Sequence, residues 1–159
     1  MDKGLYTNTK YNFDRDSSKS IILDISITSE NTFTKTLYEK LIIDKESEIY
    51  LDTLTTYNCN SSIGENSDNM GFIIRINEFD IKSCSNEGII NRSIFIPNEQ
   101  DETTPLNISK SHKGKKLNFI SSINPCVISN ISGKITNMVG DSAFTGNGRC
   151  ILEFIIVSK

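Results

Sequence analysis

An alternation of apolar and polar residues with a period of two constrains this chain more than anything else in it. Ile21, Leu23, Ile25 and Ile27 fall on one face of Ser20–Thr28, while Ile22, Asp24, Ser26 and Thr28 fall on the other. Successive side chains of an extended strand point to opposite sides, so the segment reads as a half-buried strand. Thr36–Ile43 carries Leu37, Leu41 and Ile43 and stops at the polar turn Asp44-Lys45-Glu46-Ser47. Glu48–Tyr57 places Ile49 and Leu51 together and then shifts at Thr53. In Gly71–Ser83, Phe72, Ile74 and Ile76 occupy even positions but Phe79 and Ile81 odd ones. A β-bulge near Asn77-Glu78 is expected to make that switch. Arg92–Ile96, Lys116–Ser121, Val127–Met138 and Arg149–Ser158 bring the expected strands to eight. The residue types agree, because Ile, Ser, Asn and Thr supply 75 of 159 positions and Ala only one. β-branched residues favour strands, and Asn and Ser favour turns over helix interiors.

Eight antiparallel strands in residues 20–159 predict an all-β jelly-roll sandwich of two packed four-stranded sheets, preceded by a polar N-terminal arm over 1–19. An immunoglobulin-like sandwich or a closed barrel is the competing fold. The former is weakened because the chain has no Trp. A net charge of -3 excludes the broad basic footprint of a nucleic-acid binder, so no direct nucleic-acid contact is expected. The longest apolar runs are far shorter than the ~20 residues that cross a bilayer, so no membrane insertion is expected. Met1–Tyr6 holds no apolar stretch of the kind a secretory leader carries. Cys59, Cys84, Cys126 and Cys150 are therefore expected as reduced thiols, with Cys126 and Cys150 acting as small core hydrophobes.

Candidate chemistry is sparse. His112 lies among Lys110, Lys113, Lys115 and Lys116, cationic neighbours that would lower its proton affinity, and it reads as a surface-loop histidine. Gly146-Asn147-Gly148 precedes a strand rather than a helix, so it reads as a hairpin loop and not as a phosphate cradle. Asp14, Asp16, Asp101 and Glu102 lack the spacing of a calcium loop. No catalytic, cofactor-binding or metal-binding set is predicted, and the chain is not expected to be an enzyme.

Apolar residues that one core does not explain remain. Ile151, Ile155 and Val157 oppose Cys150, Leu152, Phe154 and Ile156, and Ile73 opposes Phe72 and Ile74. A sandwich buries one face of each sheet, so apolar outer positions point to a subunit contact, or to cover by the arm or a long loop. The arm's Tyr6, Tyr11 and Phe13, together with Lys113 and Lys115 of the basic cluster, join Ile73, Ile151, Ile155 and Val157 as candidate interface residues.

The run Glu48-Ile-Tyr-Leu-Asp-Thr-Leu-Thr-Thr-Tyr57 is followed by Asp68-Asn-Met-Gly-Phe-Ile-Ile-Arg-Ile-Asn-Glu-Phe79 and Ser93-Ile-Phe-Ile-Pro-Asn-Glu99. His112-Lys-Gly-Lys-Lys-Leu-Asn-Phe119, Ile123-Asn-Pro-Cys126, Ile131-Ser-Gly-Lys-Ile135 and Arg149–Lys159 follow. Over about residues 48–159 this texture resembles the small single jelly-roll capsid proteins of nucleocytoplasmic large DNA viruses, the penton type in particular. The resemblance implies a structural virion protein, made in the host cytoplasm, that forms homopentamers at icosahedral vertices beside double jelly-roll major capsid proteins. A minor capsid or cement protein is one alternative. A lectin-like carbohydrate-binding sandwich, using Tyr50 and Tyr57, is another.

Overall fold

The computed structural model describes residues 18–27, 31–60, 66–101, 103, 105, 107–112 and 119–159. The alternation in the first strand is realised directly: Ile21, Leu23, Ile25 and Ile27 are buried in β1 (Ser18–Ile27), and Ile22 and Asp24 face out. Ser18 and Lys19 already pair with Val157 and Ile156, so the expected arm gives two residues to the sheet; the rest of it, 1–17, lies outside the described residues. The remaining strands are β2 (Thr32–Ile43), β3 (Ser47–Cys59), β4 (Gly71–Ile76), β5 (Ile94–Pro97), β6 (Lys110–His112), β7 (Phe119–Ile123), β8 (Cys126–Thr136) and β9 (Phe144–Ser158). A short 3-10 turn at Ser67–Asn69 precedes β4.

All pairings are antiparallel. One sheet runs β1-β9-β3-β6, with β7 also on β3, and the other runs β2-β8-β4-β5. β6 and β7 lie on the same edge, opposite Leu54–Thr56 and Ser47–Tyr50 of β3. Taken as one edge in two pieces, they leave four strands in each sheet, the chain crossing between sheets at every connection except that from β4 to its neighbour β5, and its first strand beside its last. That is the jelly-roll order. The space between the sheets is filled by Phe72, Phe154, Ile25, Ile49, Leu54, Ile74, Ile131, Ile135 and Leu152, all essentially inaccessible to solvent. Phe79 meets the Phe154 ring edge-on, with centroids 5.3 Å apart.

Three departures from the alternation have local causes. β4 stops at Ile76, and Asn77-Glu78 forms a turn rather than the expected bulge. Phe79 and Ile81 then re-enter the core as irregular chain, and the Glu78 carboxylate pins the turn by accepting from the backbone N–H and hydroxyl of Ser132, each at 2.9 Å. The shift at Thr53 is a bulge: Leu51 pairs with Phe154, and Thr53 with the adjacent Glu153. β2 carries a larger irregularity, because Thr36 opposes Asn130 but Leu41 opposes Ile128, leaving three extra residues in β2. Tyr38, in that protrusion, is fully exposed.

Asparagine ties the connections together at one end of the sandwich. Asn98 donates to the carbonyls of Asn60 and Asn69, at 2.7 and 3.0 Å, and Asn137 donates to Asn69 Oδ1 at 3.2 Å. Asn137 Oδ1 in turn accepts from the backbone N–H groups of Val139 and Asp141. Short amides suit this role, since one side chain satisfies several backbone groups that no ladder reaches.

Candidate functional site

The outward face of the β1-β9-β3 sheet is built by register. Ser20, Ile155 and Tyr50 lie in one row across the three strands, Ile22, Glu153 and Thr53 in the next, and Asp24, Ile151 and Thr55 in the third. Ile22 is 61% exposed and Ile151 37% exposed, while Ile155 and Val157 are half-buried. Tyr50 is buried on this side: its hydroxyl donates to the Glu48 carboxylate at 2.5 Å, and its ring meets Phe119 edge-on at 5.8 Å. Phe119 itself is largely exposed. The face therefore carries an apolar band running from Ile22 to Phe119.

Beyond Ile151 the face turns polar. Arg149 grips Asp24 through two hydrogen bonds, the Nε–H one at 2.7 Å, and this holds the Asp24 carboxyl below its ordinary value. Both side chains are about half exposed, so the pair orients the surface more than it stabilises the fold. Beside it a groove of about 670 Å³ is lined by Ser26, Thr55, Tyr57, Asn147 and Arg149, with Tyr57 38% exposed.

Of the expected interface residues, Ile151, Ile155 and Val157 come together on this face. Ile73 does not join them. It sits on the outer side of the other sheet and is 3% exposed, because the chain's own connections close over it: Ile89 and Val139 line the shallow pocket above it. Ile73 is thus buried by the single chain itself, outside the core between the sheets. Tyr6, Tyr11, Phe13, Lys113 and Lys115 lie outside the described residues.

His112 departs most from expectation, being 4% exposed instead of on a surface loop. The segment expected as polar loop contains β6, which pairs His112 with Leu54 and turns the ring inward against Phe72, centroids 4.7 Å apart. The Glu99 backbone N–H donates to His112 Nδ1 at 3.0 Å, and Nε2 lies 2.6 Å from Thr56 Oγ1. The Thr56 hydroxyl reaches Cys59 Sγ at 3.3 Å, and Cys59 approaches Gln100 Oε1 at 3.8 Å. Burial pushes the ring's pKa down to about 4; Glu99 opposes this and Lys110 adds to it. Burial also pushes the Cys59 thiol up, and takes Cys150 in β9 up to about 12. These thiols are held in the protonated form, which is a poor nucleophile and a poor metal ligand. No group of three His, Cys, Asp or Glu side chains is placed to hold a metal ion among the described residues. Comparison with protein-family models, with curated proteins and with solved structures finds no match to this chain.

Proposed function

We propose that this chain is a shell-building structural protein, a single jelly roll that packs side to side with copies of itself. The closed ring of five at an icosahedral capsid vertex, implied by the penton-type resemblance over about residues 48–159, is its preferred assembly. One observation carries the reading: Ile22, Ile151, Ile155 and Val157 lie in adjacent rows of one outer face, outside the core that the described residues form. Burying apolar surface is worth roughly 25 cal/mol per Å², so such a band favours a protein neighbour over water. Copies related by rotation meet through two different patches, and a rotation that closes gives a ring rather than a filament. In a capsid the ring would sit in the virion among major capsid proteins, with neither cofactor nor catalysis required.

The mass of the purified chain in solution tests this. A particle of five times the 17.8 kDa of the chain supports the reading, as does incorporation at shell vertices. A stable monomer would refute it. The groove beside Tyr57 favours a second reading, a carbohydrate-binding sandwich, because a half-exposed ring next to Asn147 and Arg149 offers stacking together with planar hydrogen-bonding groups. A monomer that binds on a glycan array, and loses binding in Tyr57→Ala, would decide for it.

A further inference from the structure

The hydrogens around His112 can be assigned from their partners. A backbone N–H only donates, so the Nδ1 that faces Glu99 N at 3.0 Å must present its lone pair. Nε2 then carries the ring's hydrogen and donates to Thr56 Oγ1 at 2.6 Å. The Thr56 hydroxyl passes its own hydrogen to Cys59 Sγ, the thiol points at Gln100 Oε1, and the Gln100 amide donates to the Pro105 carbonyl at 3.3 Å. Every hydrogen in the relay has one direction, set by the neutral ring. The relay joins β6 and Glu99-Gln100 on one side to β3 on the other. β6 itself contributes only three paired positions to that sheet.

We propose that this relay is an acid-opened latch, in which neutral His112 holds β6 and Glu99-Gln100 against β3 and protonation of Nδ1 releases them, uncovering the Cys59 thiol. Adding a proton to Nδ1 sets N–H against N–H, removes one hydrogen bond and leaves a charge beside the Phe72 ring. Of the ionisable groups facing the ring among the described residues, the Glu99 carboxylate favours its charge and the Lys110 ammonium opposes it, while β3 contributes the neutral Cys59. β4 contributes only Phe72. Release is local, because a three-residue edge strand opens far more readily than the core beneath it. In the latched state the ring titrates at about 4, against an ordinary 6.5 when released. Opening therefore rises as pH falls through that window, by ~20-fold at pH 5 and ~100-fold at pH 4 relative to pH 7.

The proposal is independent of the assembly reading and is tested on the full chain. Thiols are labelled with 4,4′-dithiodipyridine, which reacts in acid, and each cysteine is followed by mass spectrometry from pH 7 to pH 4. Cys84 is exposed and provides the reference, and Cys150, buried in β9, reports unfolding of the core. The expected result is that Cys59 labelling accelerates by the factors above while Cys150 stays protected. It is also expected that His112→Asn, which keeps an acceptor for the Glu99 N–H but does not titrate, flattens the rise. Simultaneous exposure of Cys59 and Cys150 would overturn the latch, as would an undiminished rise in His112→Asn. Should that variant not fold, the imidazole resonance of the chain's single histidine decides: a midpoint below pH 5 that accompanies Cys59 release upholds the proposal, and one near 6.5 overturns it.

Discussion

Phe154 and Ile155 are adjacent in β9 and face opposite environments, so truncating each reports on a different part of the molecule. Phe154 is fully buried against Phe79, and Phe154→Ala is expected to cost ~3–5 kcal/mol in urea unfolding, because the cavity adds to the lost transfer energy. Ile155 is half-buried on the outer face, and Ile155→Ala is expected to leave the monomer nearly as stable while weakening the ring, read by mass in solution. Equal damage to the monomer from both would remove Ile155 from the interface. His112 adds a pH dependence to stability. Its folded value of about 4 lies below the unfolded 6.5, so the unfolded chain takes up the extra proton between them. The stabilisation is complete above pH 6.5 and is lost as pH falls toward 4, by about 3 kcal/mol. Unfolding midpoints at pH 7 and pH 4, compared with those of His112→Asn, check the sign.

Among the elements, β8 depends on a residue without a side chain. A Cβ at Gly133 would lie 2.1 Å from the Arg75 carbonyl oxygen and 2.9 Å from the Phe33 ring, and the first of these is backbone that cannot step aside. Gly133→Ala is expected to destabilise by about 1–3 kcal/mol through overpacking, visible as a lowered thermal midpoint. How far each element could be read in advance follows from its length. In β1 and in the Cys150–Ile156 part of β9 several alternating positions agree, and one face is buried, so the reading had only one register to choose. β6 has three residues, too few for a period to emerge, so the sequence shows only the lysine neighbours of His112, although its neighbours in space are Thr56 and Phe72. The end of β4 is hidden from the sequence for a different reason. Phe79 and Ile81 are core residues outside any strand, and an apolar pattern does not record whether the backbone beneath it is paired. The outer-face residues of β9 were legible as a surplus of apolar positions. Ile73 looked the same in sequence, since nothing local indicates that Ile89 and Val139 close over it.

At the scale of the whole molecule, two sheets in jelly-roll order present an apolar band on the outer face of β1-β9-β3, a groove of mixed polar and apolar lining at its end and an asparagine-stitched set of connections. If that band is an assembly surface, paired substitution of Ile151 and Ile155 by Ser is expected to yield a folded monomer with an unchanged far-ultraviolet circular dichroism spectrum and no ring. The same topology bears on how the protein is made. Among the described residues β1 finds its ladder partner only in β9, the two being joined across ten consecutive pairs from Ser18–Val157 to Ile27–Gly148. A ribosome releases the N-terminal end first, and β1 must therefore wait, its isoleucines unshielded, until β9 has also emerged. Closure of the sandwich is then a single late event that depends on distant contacts, which is slow by nature and leaves the nascent chain dependent on whatever keeps exposed strands apart in the meantime.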